Sequence, residues 1–474
     1  MLSKRIQALL ISVVLLIPCF WHKSIQAGDL SSHLYNAWLG TEIAAGRGAG
    51  LEVVTPATNV LFDGLLLGLM KAGGPWAAEH VSVALVVLIL FWGAVAWLRA
   101  ATGRESRAFL PCLAMLAYGW VFHNGLFNYY VSCGLCFWVL ALAWQPKRGR
   151  LAAAAGLLVL AYAAHAIPVA WCCGVLVYVW VARRVPARFV LWLPVAAMVV
   201  VGAGRVLIEM RYQTLSTFHQ VLEMSSIDQV WVFGPKYIAP AVVLGMVWGF
   251  LLLRLLYSRP IQEFLGNVLV QLCAVMVVVI LVAPTRVELG GYRMALSFIT
   301  ERLTLPFAVL ICVMLNQMEA LPWQKVVLGV AAALQFSFLY VDTRALNGWE
   351  EQVIAAIRPL PPGSRVVSSL HDWTSRSLLW SHALDRACIG RCYSYQNYEP
   401  GSLQFRIRSV RPNGIVMHDP ADSKQVDNGA YVVRAADLPL YLLAPCPEGR
   451  LCVRSMAAGE RVPSSELMLL PAFW

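Results

Sequence analysis

Charge is what this sequence is short of. Only 13% of its 474 residues are Asp, Glu, Lys or Arg, about half of the roughly 25% carried by soluble globular domains. With 59% hydrophobic residues and a mean hydropathy of +0.65, that scarcity excludes an ordinary soluble enzyme and predicts an integral membrane protein. The charge that is present is scattered. Basic residues stand in small clusters between apolar runs, with no arginine–aromatic stripe and no basic soluble domain, so the net +11 and pI near 9.2 read as topology signals and argue against a nucleic-acid partner. Among the four cysteines of the polar C-terminal part the two-residue zinc-knuckle spacing is missing too, which argues against a structural zinc site there. No internal repeat or low-complexity segment interrupts the chain. Of 12 cysteines, eight lie in apolar runs, where free cysteine behaves as a small apolar residue. Cys388, Cys392, Cys446 and Cys452 lie in the polar C-terminal part. If that part is extracytoplasmic, local pairing of Cys388 with Cys392 and of Cys446 with Cys452 is one of the connectivities open to them.

Apolar runs of about 17 to 25 residues recur, the length set by a hydrocarbon core about 30 Å thick, so the spans should be helices. Lys4 and Arg5 precede the first run, residues 8–21. Ala27 offers a cleavage point, but Ile25 stands where a small side chain is preferred, so an uncleaved anchor is expected. Further spans are expected at 81–98, 108–122, 127–144, 151–164, 169–182, 190–204, 237–257, 268–283, 303–315 and 326–341. Arg99, Arg104, Arg107, Lys147, Arg148, Arg150, Arg183, Arg184, Arg188, Arg259 and Lys325 then mark inner loops. The predicted fold class is an all-α polytopic membrane protein of about eleven spans, with a small α/β extracytoplasmic C-terminal domain. Residues 1–341 form the transmembrane part and 342–474 the soluble domain, with strand-like runs at 365–370, 430–433 and 438–443. The N-terminus is cytoplasmic in this topology, and a bacterial inner membrane is the expected location. Two long outer loops follow, at 23–79 and 205–236. Apolar residues at helical spacing in 30–43 predict an amphipathic helix lying on the membrane surface. Residues 59–70, interrupted by Asp63, Gly64 and Gly68, predict a second interfacial or re-entrant helix.

This topology gathers polar residues onto the outer face. Asp29 and His33, four apart, share one helix face where the first span leaves the bilayer. His123, Asn124 and Asn128 lie at one turn and His165 at another. Glu209, Glu223 and Asp228 lie in the second long loop, and Tyr292, Arg293, Glu301 and Arg302 before the tenth span. His123 and His165 equally suit helix capping, and the three loop acids suit plain surface charge. An arginine at the mouth of a span suits a phosphate or anchors topology. The aromatic and arginine-rich stretches 392–400 and 405–408 suit either saccharide contact or a packed β-domain.

The basic N-terminus, the Gly28-Asp29-Leu30-Ser31-Ser32-His33-Leu34-Tyr35 stretch opening a long outer loop, the span count and the outer C-terminal domain together resemble the GT-C superfamily of membrane glycosyltransferases. That group contains the protein O-mannosyltransferases and the lipid A aminoarabinose transferases. The resemblance covers most of the chain in architecture, and in residues only that stretch. It implies transfer of a sugar from a polyprenyl-phosphate donor to a glycan, lipid or protein acceptor on the outer face. Asp29 would be the general base, Arg293 or Arg302 would hold the lipid phosphate, and His33, His123, Asn128 and His165 would line the substrate site. Many members carry a second acidic residue beside the first, and here Leu30, Ser31 and Ser32 follow Asp29. A divalent metal is possible but is not indicated by this loop, and Glu223, Asp228 or Glu301 would be the source of another carboxylate. The rival readings are a multi-span transporter and an inactive membrane subunit of envelope-polysaccharide assembly. Spans nearly free of charge, with polar groups collected on one side, weigh against alternating access.

Overall fold

The computed structural model describes residues 4–105, 107–290, 294–368, 370–371, 375–446 and 450–466. Tyr292 and Arg293 therefore lie outside the described residues. The molecule is mostly helical, with a small sheet region towards the C-terminus. Its first half contains α1 (Lys4–Leu16), α2 (Leu30–Ala44), α3 (Leu61–Thr102), α4 (Leu110–Ala117), α5 (Trp120–His123), α6 (Phe127–Ala143), α7 (Arg148–Ala164), α8 (Ala166–Ala182) and α9 (Leu193–Arg211). Next come α10 (Gln220–Glu223), α11 (Ile238–Tyr257), α12 (Ile261–Leu265), α13 (Val268–Val282), α14 (Ile299–Leu315) and α15 (Pro322–Ile357), and the C-terminal part holds α16 (Ala383–Cys388), α17 (Tyr398–Ser402) and α18 (Pro420–Asp427).

Four helical stretches, Leu61–Thr102, Ala187–Arg211, Pro235–Tyr257 and Pro322–Ile357, are long and apolar enough to cross a membrane, and Phe127–Ala143, Ala166–Ala182 and Val268–Val282 are shorter apolar helices. The helices pack through small residues where backbones meet. A Cβ on Gly93 of α3 would lie 2.6 Å from the Gly134 carbonyl of α6, the close approach that glycine permits between membrane helices.

Three elements differ from the sequence expectation. The run at 108–122 is broken into α4 and α5 at Gly119, whose extended backbone (φ −85°, ψ −167°) fits beneath the second loop, where a Cβ would strike the Gln229 carbonyl at 2.7 Å. The helix opening at Leu61 continues to Thr102, bent at Gly74 (φ 74°, ψ −171°) just before Pro75, a residue that cannot donate to the preceding turn. And α2 does not lie on a surface. Leu30, Leu34 and Leu39 are buried, but so are Ser32 and Asn36, because the C-terminal part covers the polar side. In the second loop, α9 runs as far as Arg211, so Glu209 sits on a helix and pairs with Arg205 at 2.6 Å.

The C-terminal sheet has the order β6 (Cys392–Ser394), β4 (Ser364–Ser368), β8 (Leu440–Pro445), β9 (Leu451–Ser455). The first three are parallel, and β9 returns antiparallel beside β8. Val367, Leu440 and Leu442 from its strands pack with Val426 and Tyr431 in a small core of their own. Two disulfides, Cys388–Cys392 and Cys446–Cys452, adopt the local connectivity. The first outer loop joins this part directly, since Leu51–Val53 pairs antiparallel with Ile407–Ser409.

Candidate functional site

Asp29 is held where three distant segments meet. Gly28 N–H donates to the His123 carbonyl at 2.9 Å and Asp29 N–H to the Asn124 carbonyl at 3.0 Å, while the Asn124 side chain accepts from Leu378 N–H at 3.2 Å. The fit leaves no room for side chains. A Cβ on Gly125, whose φ is +76°, would lie 2.5 Å from the Asp29 nitrogen, and one on Gly28 would lie 2.8 Å from the Leu378 carbonyl. Asp29 occupies the N-cap position of α2 without making a side-chain capping bond, although aspartate is among the preferred cap residues. Its carboxylate is therefore not spent on the helix end; Oδ1 lies 3.6 Å from His382 Nε2, and the side chain is 30% exposed.

Around this carboxylate the fold assembles residues that the sequence keeps far apart. His33, one turn along α2, donates through Nδ1 to Asp63 Oδ1 at 2.6 Å, and the other Asp63 oxygen accepts from Asn128 Nδ2 at 2.7 Å. Burial disfavours charge on His33, but the Asp63 carboxylate outweighs it, with Glu399 and Asp29 adding to the effect, and lifts the imidazole to about 10. Glu399 accepts from Ser32 Oγ at 3.1 Å, and burial pushes its carboxyl up to about 7. Asn36 is engaged by Asn397 at 2.8 Å. An open cleft of about 350 Å³ adjoins this group, lined by Asn36, Asp63, Glu399, Phe405 and Arg406.

On another side stands Arg302, in the first turn of α14 and within electrostatic reach of Asp29. Its Nη1 meets His165 Nε2 at 3.3 Å, and its Nε is buried with no hydrogen-bond partner among the described residues. His165 combines both expected roles. It caps α8 by accepting at Nδ1 from Ile167 N–H at 3.2 Å, and burial together with the Arg302 charge pushes it down to about 3, so the ring is neutral with its proton on Nε2 and leaves the Arg302 guanidinium without an acceptor there.

The remaining expected residues lie elsewhere. The His123 ring stacks edge-on against Phe122 and Phe233 with Nδ1 donating to the Gln26 carbonyl at 2.9 Å, and its own carbonyl accepts from Gly28 N–H. Glu223, Asp228 and Glu301 form a second group around Arg376, whose Nη2 lies 3.6 Å from Asp228 Oδ2. They are not the surface charges the sequence suggested. Glu223 is fully buried, and burial with the neighbouring Glu301 lifts it to about 7. Asp228 is raised by burial to about 6, and burial raises Glu301 as well. Asp63 is the acid that the fold brings beside His33.

Sequence reasoning overlooked Asp63, His382, Glu399 and Arg376. Asp63 carried the clearest signal, an acid inside an apolar run, which at membrane depth marks function by default. Among the described residues no three His, Cys, Asp or Glu side chains converge as metal ligands. The chain matches no protein-family model, no curated protein and no solved structure.

Proposed function

We propose that the chain is a membrane glycosyltransferase of the GT-C type, moving a sugar from a polyprenyl-phosphate donor to an acceptor hydroxyl on the outer face of a bacterial inner membrane. The observation that carries this reading is a partly exposed Asp29 carboxylate that makes no capping bond, within electrostatic reach of an arginine, Arg302, whose Nε is buried and unused among the described residues. In the reaction, the acceptor oxygen attacks the anomeric carbon, the bond from that carbon to the phosphate oxygen breaks, and its electron pair leaves on the phosphate. Asp29 takes the hydroxyl proton as the new bond forms. Arg302, neutralised by no carboxylate ion pair among the described residues, offers its free edge to the phosphate charge that grows as the lipid leaves.

The four helical stretches long and apolar enough to cross a membrane, with the three shorter apolar helices, support a polytopic membrane protein. The two disulfides of the C-terminal part support an extracytoplasmic, oxidising location.

Transfer of radiolabelled sugar from polyprenyl-phosphate donors, in membranes with matched amounts of wild type and Asp29→Asn, tests the reading. The substitution keeps size and removes the base, so a loss of about a hundredfold or more is expected. Undiminished transfer by Asp29→Asn overturns the role given to Asp29. Absence of transfer by the wild type with every donor overturns the reaction and favours the transporter or inactive-subunit readings.

A further inference from the structure

Behind Asp29 the C-terminal part places a histidine that the reaction above does not use. His382 Nε2 stands 3.6 Å from Asp29 Oδ1, while Nδ1 of the same ring meets Asp385 Oδ2 at 3.1 Å. The other Asp385 oxygen accepts from the Ser394 hydroxyl. Ser394 ends β6 and Asp385 lies in α16, and the Cys388–Cys392 disulfide ties the end of that helix to the start of that strand. The helix is fixed again by Arg386, which donates to Glu350 Oε2 at 2.7 Å and to the Ile25 carbonyl at 2.8 Å. Tyr398 covers the imidazole, with ring centroids 5.5 Å apart. A ring clamped at one nitrogen presents the other in one direction.

We propose that His382 is a positioning residue for Asp29: oriented by Asp385, its imidazolium faces the Asp29 carboxylate and fixes its direction, so the C-terminal part completes the catalytic centre. Asp29's role as a base rests on the proposed function, but the link between the two side chains does not. The charged and titratable groups facing this pair are Asp385 from α16, Glu399 and Tyr398 from α17, His33 from α2 and Arg302 from α14. Burial alone would drive His382 neutral. Asp385, then Asp29 and Glu399, reverse that and lift it to about 9, so the ring is charged at neutral pH. Of the groups around Asp29, His382 is the one an adjacent acid locks in place with a Nε2 directed at the carboxylate.

The test reads Asp29 directly. Full-length protein in detergent is treated with a water-soluble carbodiimide and an amine across a pH series, and labelling of the Asp29 peptide is followed by mass spectrometry. Carbodiimide captures the protonated carboxyl, so labelling falls as pH rises through the Asp29 titration. In His382→Gln the midpoint should move up by about one pH unit, the lower end of the effect expected from removing an opposite charge at this range. Asp385→Asn, which leaves the ring in place but no longer holds it charged, should move the midpoint the same way by less, and it serves if His382→Gln does not fold. The acid limb of the sugar-transfer rate should shift with the labelling. A midpoint unmoved in the folded variants overturns the inference, even where Asp29→Asn abolishes transfer and the function stands. A shifted midpoint in protein that transfers no sugar upholds the inference while the function falls.

Discussion

At the scale of single residues, burial decides chemistry that sequence position does not. Asp29 and Glu223 are both acids of segments between apolar helices, yet Asp29 keeps part of its surface in water while Glu223 has none, and neither Glu223 oxygen finds a hydrogen bond among the described residues. A carboxyl whose folded value is raised, here to about 7 against an ordinary 4.5, favours the unfolded chain once pH passes the ordinary value, and the loss is complete above the folded one. Glu223→Gln should therefore melt at the same temperature as wild type near pH 4 and several degrees higher at pH 8, as thermal unfolding in detergent can measure. An equal difference at both pH values would show that the ionised form is not what costs stability. The part of the site legible from sequence was the local part. Asp29 and His33 are one turn apart, and helix periodicity alone brings them together. Asp63, Glu399 and His382 reach the same place through packing between helices and the C-terminal part, and no spacing along the chain records that.

At the scale of elements, the sequence was informative about where helices run and uninformative about what their faces meet. Hydropathy located the long apolar helices, because their length answers to the thickness of a bilayer. The amphipathic pattern of α2 was equally plain, but a polar face does not say whether it meets water or protein, and Ser32 and Asn36 spend their hydrogen bonds within the fold and on the C-terminal part. The bend in α3 was half visible. Gly73, Gly74 and Pro75 announce a break, whereas the continuation of helix on both sides, carrying Asp63 above it, depends on tertiary support. Gly74 has open space where a Cβ would go, so its positive φ is the only demand for glycine there. Gly74→Ala should cost about 1 to 3 kcal/mol, read as a shift in denaturation midpoint. Full stability in that variant would mean that the bend tolerates another backbone geometry.

At the scale of the whole molecule, the first outer loop and the C-terminal part are one construction. Arg386 of α16 lies buried between Glu350 of α15, at 2.7 Å, and Glu79 of α3, at 3.2 Å, and Glu79 accepts from Ile25 N–H just ahead of Asp29. Breaking a buried ionic group from one side strands the remaining charges, at about 3 to 5 kcal/mol. Arg386→Gln should thus loosen the C-terminal part and raise its cleavage by a protease added to the outer face, with the apolar helices still protected. Unchanged cleavage would place the attachment elsewhere, for example in the pairing of Leu51–Val53 with Ile407–Ser409. The meeting of residues 29, 124, 302 and 382 around one carboxylate also sets a timetable for synthesis. Asp29 is among the first residues to leave the ribosome and His382 among the late ones, and at about 5 to 20 residues per second the interval is on the order of tens of seconds. A nascent chain, or one cut short by a premature stop before His382, holds the acid without the imidazole that faces it, so the group around Asp29 is complete only once the C-terminal part has been made and has docked.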